Sequence, residues 1–417
     1  MKNNKYLRKL IVISTLVMSL FGCSLNQTES NKTMNMDKTI YDISEVKIPN
    51  YVRIVGVGEA SHGVKEYHQM KMQIFQNLVE NNNAKIFAIE GDFGGCLKVE
   101  EYIHGGEGTA EEVLNEIGFR IYNTQELVEL VEWMRLYNEN AVDENKLHFY
   151  GFDMQRFDNS KEYIFDKISE VLPDLSDKYR EQLKDMNDNT RLDLTSDQVE
   201  YYQEQLIEFD KELESNRELL KNSVGEKETN LLFECVNSLK QYTEVLLASD
   251  YNTARDRIMK EKVDWLAARN FGSTLYINGH NGHIARVSSS GYLSLGEQLA
   301  SEYGEGYYAI GSDSLETTFN SQTETGFEVL NARNETELTK IFEQVNQDFY
   351  YIDIMTVSED KLWKELLEEN IAMSGFNISV LESLLSNKMF YTLNMIPIKS
   401  YNALLVFKNV NPSSIIN

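Results

Sequence analysis

Positive charge is scarce in this chain of 417 residues: 40 Lys and Arg stand against 66 Asp and Glu, a formal balance of −26. No basic stretch of useful length interrupts that excess, so the surface repels a phosphate backbone and nucleic-acid binding is excluded. Cysteine is scarcer still, with residues only at 23, 96 and 235, and none is spaced from another as zinc-binding pairs are. No internal repeat of useful length is visible, which sets aside solenoids and propellers. There is also no Gly-x-Ser-x-Gly elbow between a strand and a helix, which argues against a serine nucleophile on an α/β-hydrolase triad.

What is present suits a globular protein. The chain is 42% hydrophobic and 11% aromatic, enough for one large core or two smaller ones. The N-terminus reads as an export signal. Met1 to Lys9 is basic, Leu10 to Phe21 is largely apolar, and Gly22-Cys23 follows. The apolar run is too short to span a bilayer comfortably. Leu20-Phe21-Gly22-Cys23 resembles a bacterial lipobox, with Cys23 as the lipidated first residue of the mature chain. Removing residues 1–22 takes Lys2, Lys5, Arg8 and Lys9 but no acid, and leaves the remainder near −30. Residues 23–40 then form a lipidated terminus and flexible tether, and 41–417 a single domain. The expected location is the outer face of the cell membrane, held there through the lipid on Cys23.

Five short apolar runs read as buried strands: Val52 to Val57, Ile86 to Ile89, Leu147 to Phe152, Thr274 to Ile277 and Tyr307 to Ile310. Helical spacing separates them, as in Val64 to Glu80 and Thr124 to Asn138. Strands alternating with helices predict an α/β fold with a central, mainly parallel or mixed sheet flanked by helices. Residues 174–249 carry no strand signal. Thr195 and Gln198 make a capping-box pattern, Gly225 breaks the helical run, and Cys235 falls on an apolar stripe. This predicts an inserted helical hairpin, either a lid or wall over a site or a plain packing element. Farther on, the polar, Thr-rich segment Thr317 to Gly326 reads as a loop, and Tyr350 to Thr356 and Asn402 to Phe407 read as strands near a sheet edge.

Six histidines occur, at 62, 68, 104, 148, 280 and 283, and three of them lie where predicted strands end. Ligands of open α/β sheets bind beyond the carboxyl ends of the strands. Gly58-Glu59-Ala60-Ser61-His62-Gly63 follows the first strand. A carboxylate three residues from an imidazole in a turn fixes its tautomer and supports it as a base. Glu90 ends the second strand, where a carboxylate is costly unless paired, while the nearby Asp92 suits a helix cap. Asn278-Gly279-His280-Asn281-Gly282-His283 ends a later strand with two imidazoles in a glycine-rich turn. These suit metal ligation, proton transfer or an oxyanion. Arg255-Asp256 opens a helix running to Trp265. Arg255 there either holds Glu59 or Glu90, contacts substrate, or makes a surface ion pair. Asp153, after Gly151-Phe152, is a supporting acid. Three strand ends that each deliver an acid or a histidine are more specific together than any one of them alone.

Taken together, Gly58 to Gly63 with Glu66 downstream, Ile89-Glu90-Gly91, Gly151-Phe152-Asp153, Arg255-Asp256-x-x-Met259 and His280-Asn281-x-His283 resemble the erythromycin esterase family. Their order and spacing match over residues 50 to 310. The resemblance implies an α/β core with a helical insertion and hydrolysis of an ester or lactone by water, with no metal or other cofactor. It implies that His62 activates the water and that Glu59, Glu90, His280 and His283 surround it. It places Arg255, Glu66, Asp153 and Asn281 in supporting or substrate-binding positions. Two other readings of the same residues are a divalent-metal hydrolase and a surface lipoprotein that binds a ligand without turnover.

Overall fold

All five apolar runs become strands in the computed structural model, which describes residues 33–270 and 272–416. The expected signal segment, Cys23 and the tether up to residue 32 lie outside the described residues. The strands are β1 (Ile54–Glu59), β2 (Ile86–Asp92), β3 (His148–Asp153), β4 (Leu275–His280) and β5 (Tyr307–Gln322). Five more follow: β6 (Phe327–Arg333), β7 (Phe349–Asp353), β8 (Ile371–Ser374), β9 (Thr392–Met395) and β10 (Ala403–Val410). An eight-stranded sheet runs β3-β2-β4-β1-β5-β10-β7, with β6 paired to β5, and β8 and β9 form a separate ribbon. From β3 through β10 the neighbours are parallel, while β7 and β6 pair antiparallel. The fold is therefore the expected mixed α/β sheet flanked by helices. Met34–Asn417 form one compact unit.

Parallel strands need crossovers, and the helices that supply them cover both faces of the sheet. Alternate residues of one strand accordingly enter different cores. Ile54, Ala88, Phe152 and Ile277 pack on one face. Val55, Phe87, Phe149 and Tyr276 pack on the other. Phe87 and Tyr276 sit opposite each other on β2 and β4 and stack with their centroids 4.8 Å apart. Burying each side chain of this size contributes roughly 1.5–3 kcal/mol. Strands buried on both faces read as continuous apolar runs, which explains why these were visible in the sequence.

The chain visits β1, then β2 and β3, and returns to insert β4 between β2 and β1. The carboxyl ends of β1, β2 and β4 are thereby neighbours. In register, Glu59 lies opposite His280, and Ile89 lies opposite Asn278.

The inserted segment folds as helices Pro173–Gln182, Ser196–Ser215, Arg217–Val224 and Glu226–Leu247. The Thr195/Gln198 capping box is present, and Gly225, at φ +93, separates the last two helices. The two long helices pack as a layer on the helix Asp158–Ile168. Phe209 stacks on Phe165 and Tyr179, and Tyr242 packs on Phe157. These contacts support the packing element. Cys235 is a buried core thiol, and Cys96 and Cys235 are both free.

Two local expectations are corrected. Thr317 to Gly326 is not a loop: β5 continues to Gln322 and turns through residues 323–326 into β6. Its polar side chains are satisfied by neighbouring segments. Asn320 Nδ2 donates to Ser413 O, and Ser321 Oγ donates to Val380 O, so a polar composition concealed a strand. Likewise β7 stops at Asp353, whose carboxylate accepts from Thr356 N and starts a short helix. Within the sheet, β7 lies at the edge and β10 one strand in.

Candidate active site

Glu59 ends β1 with its side chain buried. The turn after it swings His62 back, and Glu59 Oε1 lies 2.8 Å from His62 Nδ1. An ionised carboxylate only accepts, so Nδ1 carries the proton and Nε2 keeps its lone pair. Gly63 permits this turn, because a Cβ there would lie 2.3 Å from the carbonyl of Asn320. On its other side, Glu59 Oε2 pairs with Lys71 Nζ at 2.8 Å. Lys71 Nζ also lies 2.9 Å from His68 Nδ1. Burial alone would raise the Glu59 carboxyl, but Lys71 and His62 overcome it and hold the group well below the usual carboxylate range.

Glu90, near the end of β2, is tied on both oxygens. Oε1 accepts from Arg255 Nη2 at 2.8 Å and lies 3.4 Å from His283 Nε2. Oε2 accepts from the backbone N–H of His280 at 2.9 Å. A Cβ on Gly279 would sit 2.9 Å from that same Oε2, so only glycine leaves the carboxylate its place. Burial pushes the Glu90 carboxyl up, but His283 and Arg255 outweigh it and hold it low. Arg255 is gripped by Asp153, with Nη2 to Oδ2 at 2.7 Å and Nε to Oδ1 at 3.3 Å. It lies in the second turn of the helix Tyr251–Arg269 and makes a buried network rather than a surface ion pair.

The two imidazoles after β4 differ. His283 Nδ1 lies 2.9 Å from buried Asp256 Oδ2, which also accepts from Leu295 N. Burial pushes the His283 pKa down, but Asp256 and Glu90 outweigh it and raise it above the ordinary value. His280 instead accepts at Nδ1 from Gly282 N–H, so its proton sits on Nε2. That buried Nε2 has no hydrogen-bond partner among the described residues. Burial, with His62 and His283 nearby, pushes the His280 pKa down to about 3, so the ring is neutral. The His280 and His62 rings lie 5.5 Å apart, and the edge of Tyr122 closes the side of His62 at 6.2 Å.

The strand ends therefore bring Glu59, His62, Glu90, His280, His283, Arg255 and Asp153 together. Glu66 does not join them. Its carboxylate accepts from Asn411 N and Nδ2, both at 2.7 Å, because the first turn of the helix Lys65–Asn82 directs it to the C-terminal segment. Asn281 is buried and clips β4 to β5 by bonding the backbone of Ser312, which fixes the turn that carries His280. Lys71, His68 and Tyr122 are site residues that sequence reasoning passed over, and Asp256 is one it named beside Arg255 without a role. Lys71 and His68 did leave a signal: both lie on the buried stripe of a helix whose other members are Tyr67, Ile74, Phe75 and Leu78. A depression of about 350 Å³ lined by Asn50, Arg53 and Thr274 lies at the opposite end of the strands and holds none of these groups.

The donor set does not suit a metal. Lys71 and Arg255 already neutralise Glu59 and Glu90, and among the imidazole nitrogens of this centre only Nε2 of His62 is free to ligate.

Acid should weaken the fold through this network. Burial pushes His68 and His280 each down to about 3. Unfolded, both rings take up a proton near pH 6.5. The stability they lend is therefore present above about pH 6.5 and lost as pH falls toward 3. His283, raised instead, contributes most below about pH 6.5 and less as pH rises through its folded value. Buried Asp92 and Asp313, raised to about 8 and about 6, oppose the two rings, so the effect is read on the variant: between pH 7 and pH 5 the denaturant midpoint of His68→Gln should fall less, or rise more, than that of the wild type. The same pH dependence in the wild type and in His68→Gln contradicts this assignment.

A buried acid–base centre at the carboxyl ends of a parallel sheet defines an α/β protein equipped for proton-transfer chemistry. Comparison with known proteins narrows the class. The profile of the family described as erythromycin esterase matches residues 79–410, and the chain belongs to that family. The matched stretch begins after Glu59 and His62. The chain is 24% identical over 310 residues to erythromycin esterase type II of Escherichia coli, covering 64% of this chain and 70% of that protein. It is also 24% identical over 267 residues to the candidate hydrolase YbfO of Bacillus subtilis (strain 168). That match spans only 57% of each chain, less than two thirds of the relative's length. A crystal structure of a Bacillus cereus protein shares the fold, with a TM-score of 0.77 at 24% identity, covering 91% of this chain and 96% of that one. Family membership supports a hydrolase.

Proposed function

We propose that the chain hydrolyses a carboxylic ester or lactone by direct attack of water, with His62 as the general base. One juxtaposition carries this reading: His62, oriented by Glu59, faces a neutral His280 whose Nε2–H has no partner, with the rings 5.5 Å apart. A water on His62 Nε2 loses its proton as its oxygen bonds to the carbonyl carbon, and the carbonyl oxygen takes up the displaced electron pair. The His280 Nε2–H donates to that oxyanion. The proton gained by His62 then passes to the leaving alkoxide as the acyl–oxygen bond breaks. General-base and oxyanion donors of this kind contribute about 10²–10⁴-fold and 10²–10³-fold. Glu90 is fully engaged by Arg255, His283 and His280 N–H, and serves to position these groups.

The test is a panel of simple esters, lactones and macrolides offered to wild type and to His280→Phe. At least one class should be hydrolysed, with kcat about 10²-fold lower in the variant and KM nearly unchanged. Failure of the wild type on every class would favour the binding-only reading.

We further propose that the mature chain is held on the outer membrane face through Cys23. Cys23→Ala should release it to the medium; continued membrane association would refute the anchor.

A further inference from the structure

Two histidines take no part in the acid–base centre. His148 opens β3, at the end of the sheet opposite the site, and His104 caps the helix Phe93–Ile103. Both converge on one oxygen of Glu100, a buried acid of that helix. Glu100 Oε1 lies 2.8 Å from His148 Nδ1 and 3.2 Å from His104 Nε2, and the two nitrogens lie 3.3 Å apart. We infer that Glu100, His104 and His148 form a binding site for a divalent cation of the zinc class.

The donor chemistry suits that ion: two imidazoles and a carboxylate are ligands of a borderline cation and a poor set for calcium or magnesium. The spacing suits it as well. Zinc bonds of about 2.0–2.1 Å at the tetrahedral angle place ligand atoms about 3.3 Å apart, close to two of the three separations seen. With the ion bound, each neutral ring keeps its proton on its other nitrogen, Nδ1 of His104 and Nε2 of His148. The support around the site is already built. Glu100 Oε2 accepts from Phe149 N–H at 3.0 Å, and Tyr150 Oη lies 3.4 Å from Oε1, which fixes the carboxylate. The imidazoles are 21% and 29% exposed, so an ion has a path in and a water can complete the shell. One group competes: Lys227 Nζ lies 3.2 Å from Glu100 Oε1, and its side chain is 55% exposed and free to swing away. In the acid–base centre, by contrast, buried Lys71 and Arg255 already pair with the carboxylates.

The competing account is a carboxylate that accepts hydrogen bonds from two imidazoles and holds no ion. Zinc titration by calorimetry separates the two, using purified chain stripped with chelator, with cobalt(II) absorption as a second readout. The wild type should take up one zinc per chain, show a tetrahedral cobalt spectrum and melt at higher temperature with zinc. Loss of a supporting group around a metal costs about 10–100-fold in affinity, so loss of a ligand in His104→Gln or His148→Gln should weaken zinc by 100-fold or more. Lys227→Met should bind severalfold tighter. His62→Ala with His280→Ala should bind as the wild type does. Melting without zinc verifies that each variant is folded. The inference is overturned if the wild type binds no zinc, if both glutamine variants bind it unchanged, or if the cleft double variant loses it.

Discussion

His62→Ala is expected to lower kcat on any ester the wild type cleaves by at least about 10³-fold, with KM shifted little and the protein still folded. The size follows from the role: the variant loses the one imidazole of the centre that pairs an unengaged nitrogen with one oriented by a carboxylate. The fold should survive because Glu59 keeps its ion pair with Lys71, so no buried charge is stranded. Added imidazole should recover part of the rate, since it restores a base without restoring the side chain. A variant that retains more than a tenth of wild-type kcat would remove His62 from the mechanism.

Arg255→Met should have the largest effect on stability, with a loss of about 3–5 kcal/mol in denaturant unfolding. Arg255 is the guanidinium between two buried carboxylates, Glu90 and Asp153. Without it Asp153 loses both guanidinium bonds and Glu90 loses its 2.8 Å one, leaving buried carboxylates short of a cation. The double variant Arg255→Met, Asp153→Asn should recover part of the loss, because one stranded charge goes with its partner. Activity should fall as well, since Glu90 also receives the backbone N–H of His280 and contacts His283. A loss under 1 kcal/mol would mean that water or a local shift satisfies the two acids.

These two variants also show what the sequence made legible. Glu59, His62, Glu90, His280 and His283 were visible because each sits next to a run too apolar to be anything but a strand, and a polar group at such an end needs a reason. Asp256 was harder. It follows Arg255 on a helix, where an acid and a base side by side read equally well as solvated surface, and only the packing of Leu295 and His283 against it shows that it is buried. Glu66 misled for a related reason. Four residues from His62 is near in sequence, but the helix start turns its carboxylate to Asn411. The same limit hid the second half of β5, whose Asn320 and Ser321 are paired by segments 93 and 59 residues away. Composition reports what a residue is, whereas burial and partners depend on chain that arrives much later.

The pairing of Glu59 with His280 across β1 and β4 bears on how such a protein changes its diet. Neighbouring strands are locked about 4.8 Å apart by their backbone ladder. The spacing of Glu59 and His280 is thus inherited from the lattice of main-chain bonds. Helices and turns at the rim are free to be lengthened, exchanged or reshaped around new molecules while the reacting groups keep their positions.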